Sequence, residues 1–240
     1  MRREGNFKLP HIFDMTSPPD ERCLAETRFF DISHQELIRY AENKTADFGT
    51  EVERAIALYY AVRDEVLYDP YQCLLTPEQF RASQMLACGQ GFCMSKALLL
   101  AALARCIGIP SLVGFADVLN HLATPKMEQL LKNDLYFHGY AALYLNGKWL
   151  KVSPAFNISM CEKFDSRPLE FDGKSDALLH EYDMKNRRHM EYLTDYGAAT
   201  DLPYQSVIDE LWFRFPEMMD FLRQKRNTAS FSEELRALDN

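Results

Sequence analysis

The chain has 240 residues, 47% of them hydrophobic and 26% charged, with 10 glycines and 11 prolines, a composition that excludes collagen-like, low-complexity and disordered classes. Its 27 basic residues stand against 35 acidic ones, and a formal net charge of −8 repels phosphate backbones and anionic lipid, so neither nucleic acid nor a membrane is an expected partner. The longest apolar run, Ala97 to Ala104, is far too short to span a bilayer.

The N-terminal stretch mixes charged, aromatic and proline positions without the apolar core of a signal peptide, which points to the cytoplasm. Ser33-x-x-Glu36 and Thr50-x-x-Glu53 each fit a capping box and predict helices over about 34–44 and 51–66, the second closed by Asp69-Pro70. Thr76-Pro77-Glu78-Gln79 starts a third helix, with proline at its first position, that runs to Cys88-Gly89. Gly89-Gln90-Gly91-Phe92 then gives a flexible approach to Cys93. From Met94 to Cys106 the chain reads as a helix that is apolar almost all round, ended by Gly108-Ile109-Pro110, and a helix without a polar face belongs inside.

Residues 111–118 are strand-like, and a short helix follows Thr124-Pro125. Two apolar-aromatic runs, His138–Leu145 and Lys148–Val152, are joined by Asn146-Gly147, the dipeptide favoured in a two-residue type I′ hairpin turn. Beyond Pro168 the chain reads as irregular until helical stretches near 204–213 and 217–225. With no repeat, linker or break in composition, residues 1–240 are expected to form one α+β domain.

Cys93 falls at the start of the buried helix, where unpaired backbone N–H groups and the helix dipole favour an anion, so a thiol with a depressed pKa is expected there. The hairpin turn sets the register that opposes His138 to Ala155, with Ser153 and Asn157 as its diagonal neighbours on the same face. Either could accept the imidazole N–H and fix the ring, and the pattern leaves both open. Gln90, Gly91, His121 and Tyr140 are candidates to bind substrate. Asp117 is an alternative partner for a histidine, Glu170, Asp172, His189 and Glu191 could line a site, and Tyr192 and Tyr196 read as packing residues. Six cysteines (23, 73, 88, 93, 106 and 161) at irregular spacing, without paired CxxC or HExxH, read as reduced thiols; no metal ligand set or cofactor is implied.

Gly91-Phe92-Cys93 opening an Ala/Leu-rich helix, the helix exit Ala104-Arg105-Cys106-Ile107-Gly108-Ile109-Pro110, then His138-Gly139-Tyr140 and Trp149-Leu150-Lys151-Val152-Ser153-Pro154, resemble the transglutaminase-like superfamily. The resemblance covers roughly residues 50–160. More narrowly, Asn120-His121-Leu122, Pro154-Ala155-Phe156-Asn157, Pro168-Leu169-Glu170-Phe171-Asp172-Gly173 and His189-Met190-Glu191-Tyr192 are similar to blocks in bacterial transglutaminase-domain proteins of unassigned activity. It implies a papain-like core in which a buried helix led by nucleophilic Cys93 packs on an antiparallel sheet with flanking helices, and His138 is the base. The implied reaction is acyl transfer from an amide or peptide bond, in a peptide, protein or small amide, to water or to an amine. Ser153 stands where the superfamily usually has aspartate, and a neutral hydroxyl orients an imidazole without stabilising the imidazolium. An inactive binding module of the same fold is therefore the alternative expectation.

Overall fold

The computed structural model of the chain describes residues 5, 7–72, 75–120, 124–132, 135–178, 190–224 and 231. Helix α1 (Gln35–Thr45) begins one residue later than its capping-box pattern predicts. His34 is the cap, its Nδ1 accepting the Glu36 N–H at 3.3 Å, while Ser33 Oγ donates to Glu26 instead. Helix α2 (Glu51–Glu65) has the reciprocal cap that its sequence predicts: Thr50 Oγ1 accepts the Glu53 N–H, and the Glu53 carboxylate accepts the Thr50 N–H. After the short strand β1 (Leu67–Tyr68), the third predicted helix is split. A 3-10 turn over Pro77–Phe80 and helix α3 (Ala82–Cys88) are separated by extended Arg81, whose N–H closes on Glu78.

Strand β2 (Gln90–Gly91) pairs in parallel with β1 and leads into α4 (Cys93–Cys106), in which Met94 through Arg105 are all buried. The two basic side chains on this helix are buried against carbonyls: Lys96 Nζ donates to Arg63 O, and the Arg105 guanidinium donates to Ser111 O, Ala25 O and Thr200 O. Then follow β3 (Ser111–Asn120), α5 (Pro125–Leu131), β4 (Leu135–Leu145), β5 (Lys148–Val152), α6 (Ile158–Lys163), β6 (Met190–Ala199), α7 (Tyr204–Arg214) and α8 (Pro216–Gln224).

The main sheet has the order β5-β4-β3-β6, every pairing antiparallel. The β4–β5 hairpin has the predicted register, from Leu145 opposite Lys148 to Ala141 opposite Val152, with both turn residues, Asn146 and Gly147, at positive φ. Strand β6 lies where the sequence reads as irregular. It is an edge strand with Leu193, Thr194 and Asp195 exposed and its register against β3 shifted twice, so no clean apolar alternation marks it. Alternate side chains of β4 serve two cores: Phe137, Ala141 and Leu143 meet the α4 side, while Tyr140 and Ala142 join Phe13, Leu112 and Ala198 on the opposite face. The result is the expected α+β, papain-like arrangement of a buried helix on an antiparallel sheet. No described helix is long and apolar enough to cross a membrane.

The C-terminal helices are tied to the sheet by charge. Arg214 on α7 is buried and donates to Asp117 on β3 and to Glu210, and Tyr196 on β6 donates to Asp117 at 2.8 Å.

Candidate active site

The start of α4 is fixed by a tight local cap. Ser95 Oγ accepts the Phe92 N–H and donates to Phe92 O, both at 2.9 Å. A Cβ on Gly91 would lie 2.4 Å from that hydroxyl, so the space above Gly91 belongs to Ser95 rather than to an approaching substrate backbone. Gly91 is held further by the Asp69 N–H on its carbonyl, and Gln90 sits half-buried beside the helix start.

The turn parity of the hairpin decides what surrounds the thiol. Pairs such as Leu145–Lys148 exchange hydrogen bonds with β5, whereas Tyr144 donates the other way, to Pro110 O. Gly139, in step with Ala141 and Leu143, therefore turns its N–H toward the β5 side. There β5 has already left: after Val152 the chain turns away, and the Ser153 N–H is taken by Ala177 O at 2.8 Å. The backbone N–H groups of Gly139, Met94 and Cys93 itself are near enough to the Cys93 sulfur to favour its anion. Only glycine fits at 139, because a Cβ would come 2.7 Å from the Met94 Cα. Helix start and strand thus touch at the residue following His138.

His138 is buried, and its Nε2 lies 3.1 Å from Ser153 Oγ. Ser153 is also buried, its carbonyl accepting from the Tyr59 hydroxyl, which bonds Leu169 O as well. Tyr59 thereby clamps the segment that carries the hydroxyl. Asn157, the other predicted partner of the imidazole, is engaged elsewhere: its Oδ1 accepts the Tyr68 N–H and its Nδ2 donates to Ser159. Among the described residues nothing bonds Nδ1 of His138.

Protonation differs from the expectation of a depressed thiol. The three backbone N–H groups around the sulfur do favour the thiolate, but burial outweighs them and pushes the Cys93 pKa up to about 11. Burial alone lowers His138 to about 4. At neutral pH the thiol and the imidazole are therefore both uncharged, not thiolate and imidazolium.

The remaining candidates fall in various places. Tyr140, a predicted substrate contact, is fully buried on the far face, with its hydroxyl on Asp195. Asp117 pairs with Arg214 and Tyr196, not with a histidine. Glu170 binds the Tyr60 hydroxyl and Arg63, and Asp172 caps a turn through the Lys174 and Ser175 N–H groups, which hold its carboxyl below the usual carboxylate range. Glu191 is half-buried on β6. His121 and His189 lie outside the described residues. Tyr192, read as packing, sets its ring edge-on to His138 at 6.3 Å between centroids, and its hydroxyl is buried with no hydrogen-bond partner among the described residues. Tyr59 escapes sequence reasoning; only its place on the apolar face of α2 hints at a role.

Residues 38–154 match the sequence model of the transglutaminase-like superfamily. No curated protein sequence matches the chain. Among solved structures, a "putative cysteine protease" from Cytophaga hutchinsonii is similar with a TM-score of 0.44 and 18% identity, over 55% of this chain and 40% of that one. A "putative protease" from Parabacteroides distasonis is similar with a TM-score of 0.35 and 17% identity, over 57% of this chain and 30% of that one. The chain therefore spans less than half the length of either. Gly91-Phe92-Cys93, His138-Gly139-Tyr140 and the Trp149–Pro154 block fall in order within residues 38–154, the stretch of this chain that is similar to the transglutaminase-like superfamily.

Proposed function

We propose that the protein is a cysteine-dependent acyl-transfer enzyme that opens an amide or peptide bond through a thioester on Cys93. The observation that supports this reading is the meeting of helix start and strand: α4 begins at Cys93 and packs so closely on Gly139 that a Cβ there would come 2.7 Å from the Met94 Cα, one residue from an imidazole whose Nε2 lies 3.1 Å from Ser153 Oγ. As substrate binds, the thiol proton passes to Nδ1 of His138 while sulfur bonds to the acyl carbon, and the carbonyl electrons collect on oxygen near the Cys93 backbone N–H. Collapse of that adduct breaks the carbon–nitrogen bond, and the leaving amine takes the proton from His138. Water or a second amine then attacks the thioester, gives its proton to His138, and the proton returns to sulfur as acid or new amide departs. Because the resting sulfur is protonated, proton transfer accompanies attack instead of preceding it.

Acylation by p-nitrophenyl acetate tests this without knowledge of the substrate. One equivalent of p-nitrophenolate should appear as the acetyl group becomes a hydroxylamine-labile thioester on Cys93, mapped by mass. His138→Ala should slow the step by about a hundredfold. Acetyl found on other thiols alone, or a rate indifferent to both Cys93→Ala and His138→Ala, would overturn the reading. The neutral resting pair and the serine at the third position favour the second reading, a binding module of the same fold, and that result would install it.

A further inference from the structure

Beside Cys93 lies a cavity of about 70 Å³ that the acyl-transfer chemistry does not use. Of its lining residues, Tyr68, Cys93 and Tyr136 are partly exposed and form the rim, while those behind them are buried. The floor combines Met127 and Leu131 of α5 with Leu211, Met218 and Met219 of α7 and α8. No charged side chain lines it. A carboxylate or ammonium entering such a site would lose its hydration with nothing in return, whereas an aliphatic group loses only its contact with water. The thioether side chains can adjust around a branched shape. The volume suits a few carbon atoms and is too small for a bicyclic aromatic ring.

Resting on the assignment of Cys93 as nucleophile, we propose that this cavity is the acyl-side subsite: it takes a small branched aliphatic group attached to the acyl carbon that Cys93 attacks. The rim position of Cys93 lets the aliphatic group enter while its carbonyl stays at the sulfur. Much of the floor is built by α7 and α8, outside the transglutaminase-like stretch of 38–154, so preference among acyl donors is set by a segment separate from the one that carries Cys93 and His138.

The test compares Cys93 acylation by the p-nitrophenyl esters of acetate, 3-methylbutanoate and succinate. The branched ester should acylate at least about tenfold faster than the acetate, and the anionic one slower than either. Met218→Phe, which fills the floor, should bring the ratio of branched to acetyl rate close to one. Phe215→Leu, which enlarges the cavity, should raise the rate with the one-carbon-longer 4-methylpentanoate ester relative to 3-methylbutanoate. Equal rates for all three esters on Cys93, or a ratio that neither variant changes, would overturn the subsite while leaving the nucleophile intact. Absence of acylation by every ester would overturn the nucleophile and the subsite with it.

Discussion

Nε2 of His138 and Oγ of Ser153 stand 3.1 Å apart, both residues buried, so a hydroxyl holds the ring where the superfamily usually has a carboxylate. Ser153→Asp would put a negative charge beside the imidazole, raise its pKa from about 4 and make the thiolate–imidazolium pair more accessible. Alkylation of Cys93 by iodoacetamide at pH 7 should speed up by about tenfold for each pKa unit gained, whereas Ser153→Ala should slow it. Asn157→Ala should leave that rate alone and cost about 1–2 kcal/mol of stability, because it removes the acceptor of the Tyr68 N–H. Timed alkylation with mass mapping measures the rates; a rate lowered by Asn157→Ala and unmoved at Ser153 would reverse the assignment.

The neutral state of His138 has a thermodynamic signature. The imidazole titrates near 6.5 when unfolded and at about 4 in the fold. Between those values the unfolded chain binds the extra proton, so stability falls as pH drops through this window and is fully present above it. The share of His138 is about 3 kcal/mol. His138→Gln should lose that much less stability than the parent between pH 7 and pH 4, read from urea midpoints at each pH. Parallel losses in the two proteins would mean that the imidazole is charged in the fold.

Arg214 lies fully buried between Asp117 and Glu210, whose side chains are 7% and 10% exposed. Arg214→Met should cost about 3–5 kcal/mol, since it strands two carboxylates away from water. Adding Asp117→Asn should recover part of the loss. The exposed pair of Arg39 with Glu36 provides the contrast, with Arg39→Ala expected to cost at most about 1 kcal/mol. Chemical denaturation of the variants decides between a tie that holds α7 on β3 and a redundant one.

Tyr192→Phe should raise stability by about 1 kcal/mol or more, because it deletes a buried hydroxyl that has no partner among the described residues. Calorimetric melting checks this. A lowered melting temperature would show that the hydroxyl is satisfied after all.

What the sequence reveals and what it hides divide along the range of the interactions. The reciprocal cap of α2, the almost wholly apolar α4 and the turn at Asn146-Gly147 each depend on residues a few positions apart, and each is found as the pattern predicts. The start of α1 is displaced because Ser33 finds Glu26, and the helix predicted to begin at Thr76 breaks because Arg81 turns back onto Glu78. The choice between Ser153 and Asn157 could not be read from hairpin register, since β5 abandons β4 at Val152 to meet Ala177, a partner far along the chain. The places of Cys93 at the start of α4 and of His138 on β4 are legible from the spacing of their blocks. Their protonation is not, because it depends on how completely the surrounding helices and sheet exclude water.

The departure of β5 has one more outcome. It leaves the Gly139 amide without a β5 carbonyl and close enough to the Cys93 sulfur to favour its anion. That single N–H is a built-in gauge of the thiol. Its proton resonance and its deuterium exchange should change whenever the sulfur ionises, is acylated or is alkylated, so nuclear magnetic resonance could follow the chemistry at Cys93 from one backbone signal in the otherwise silent core of the sheet.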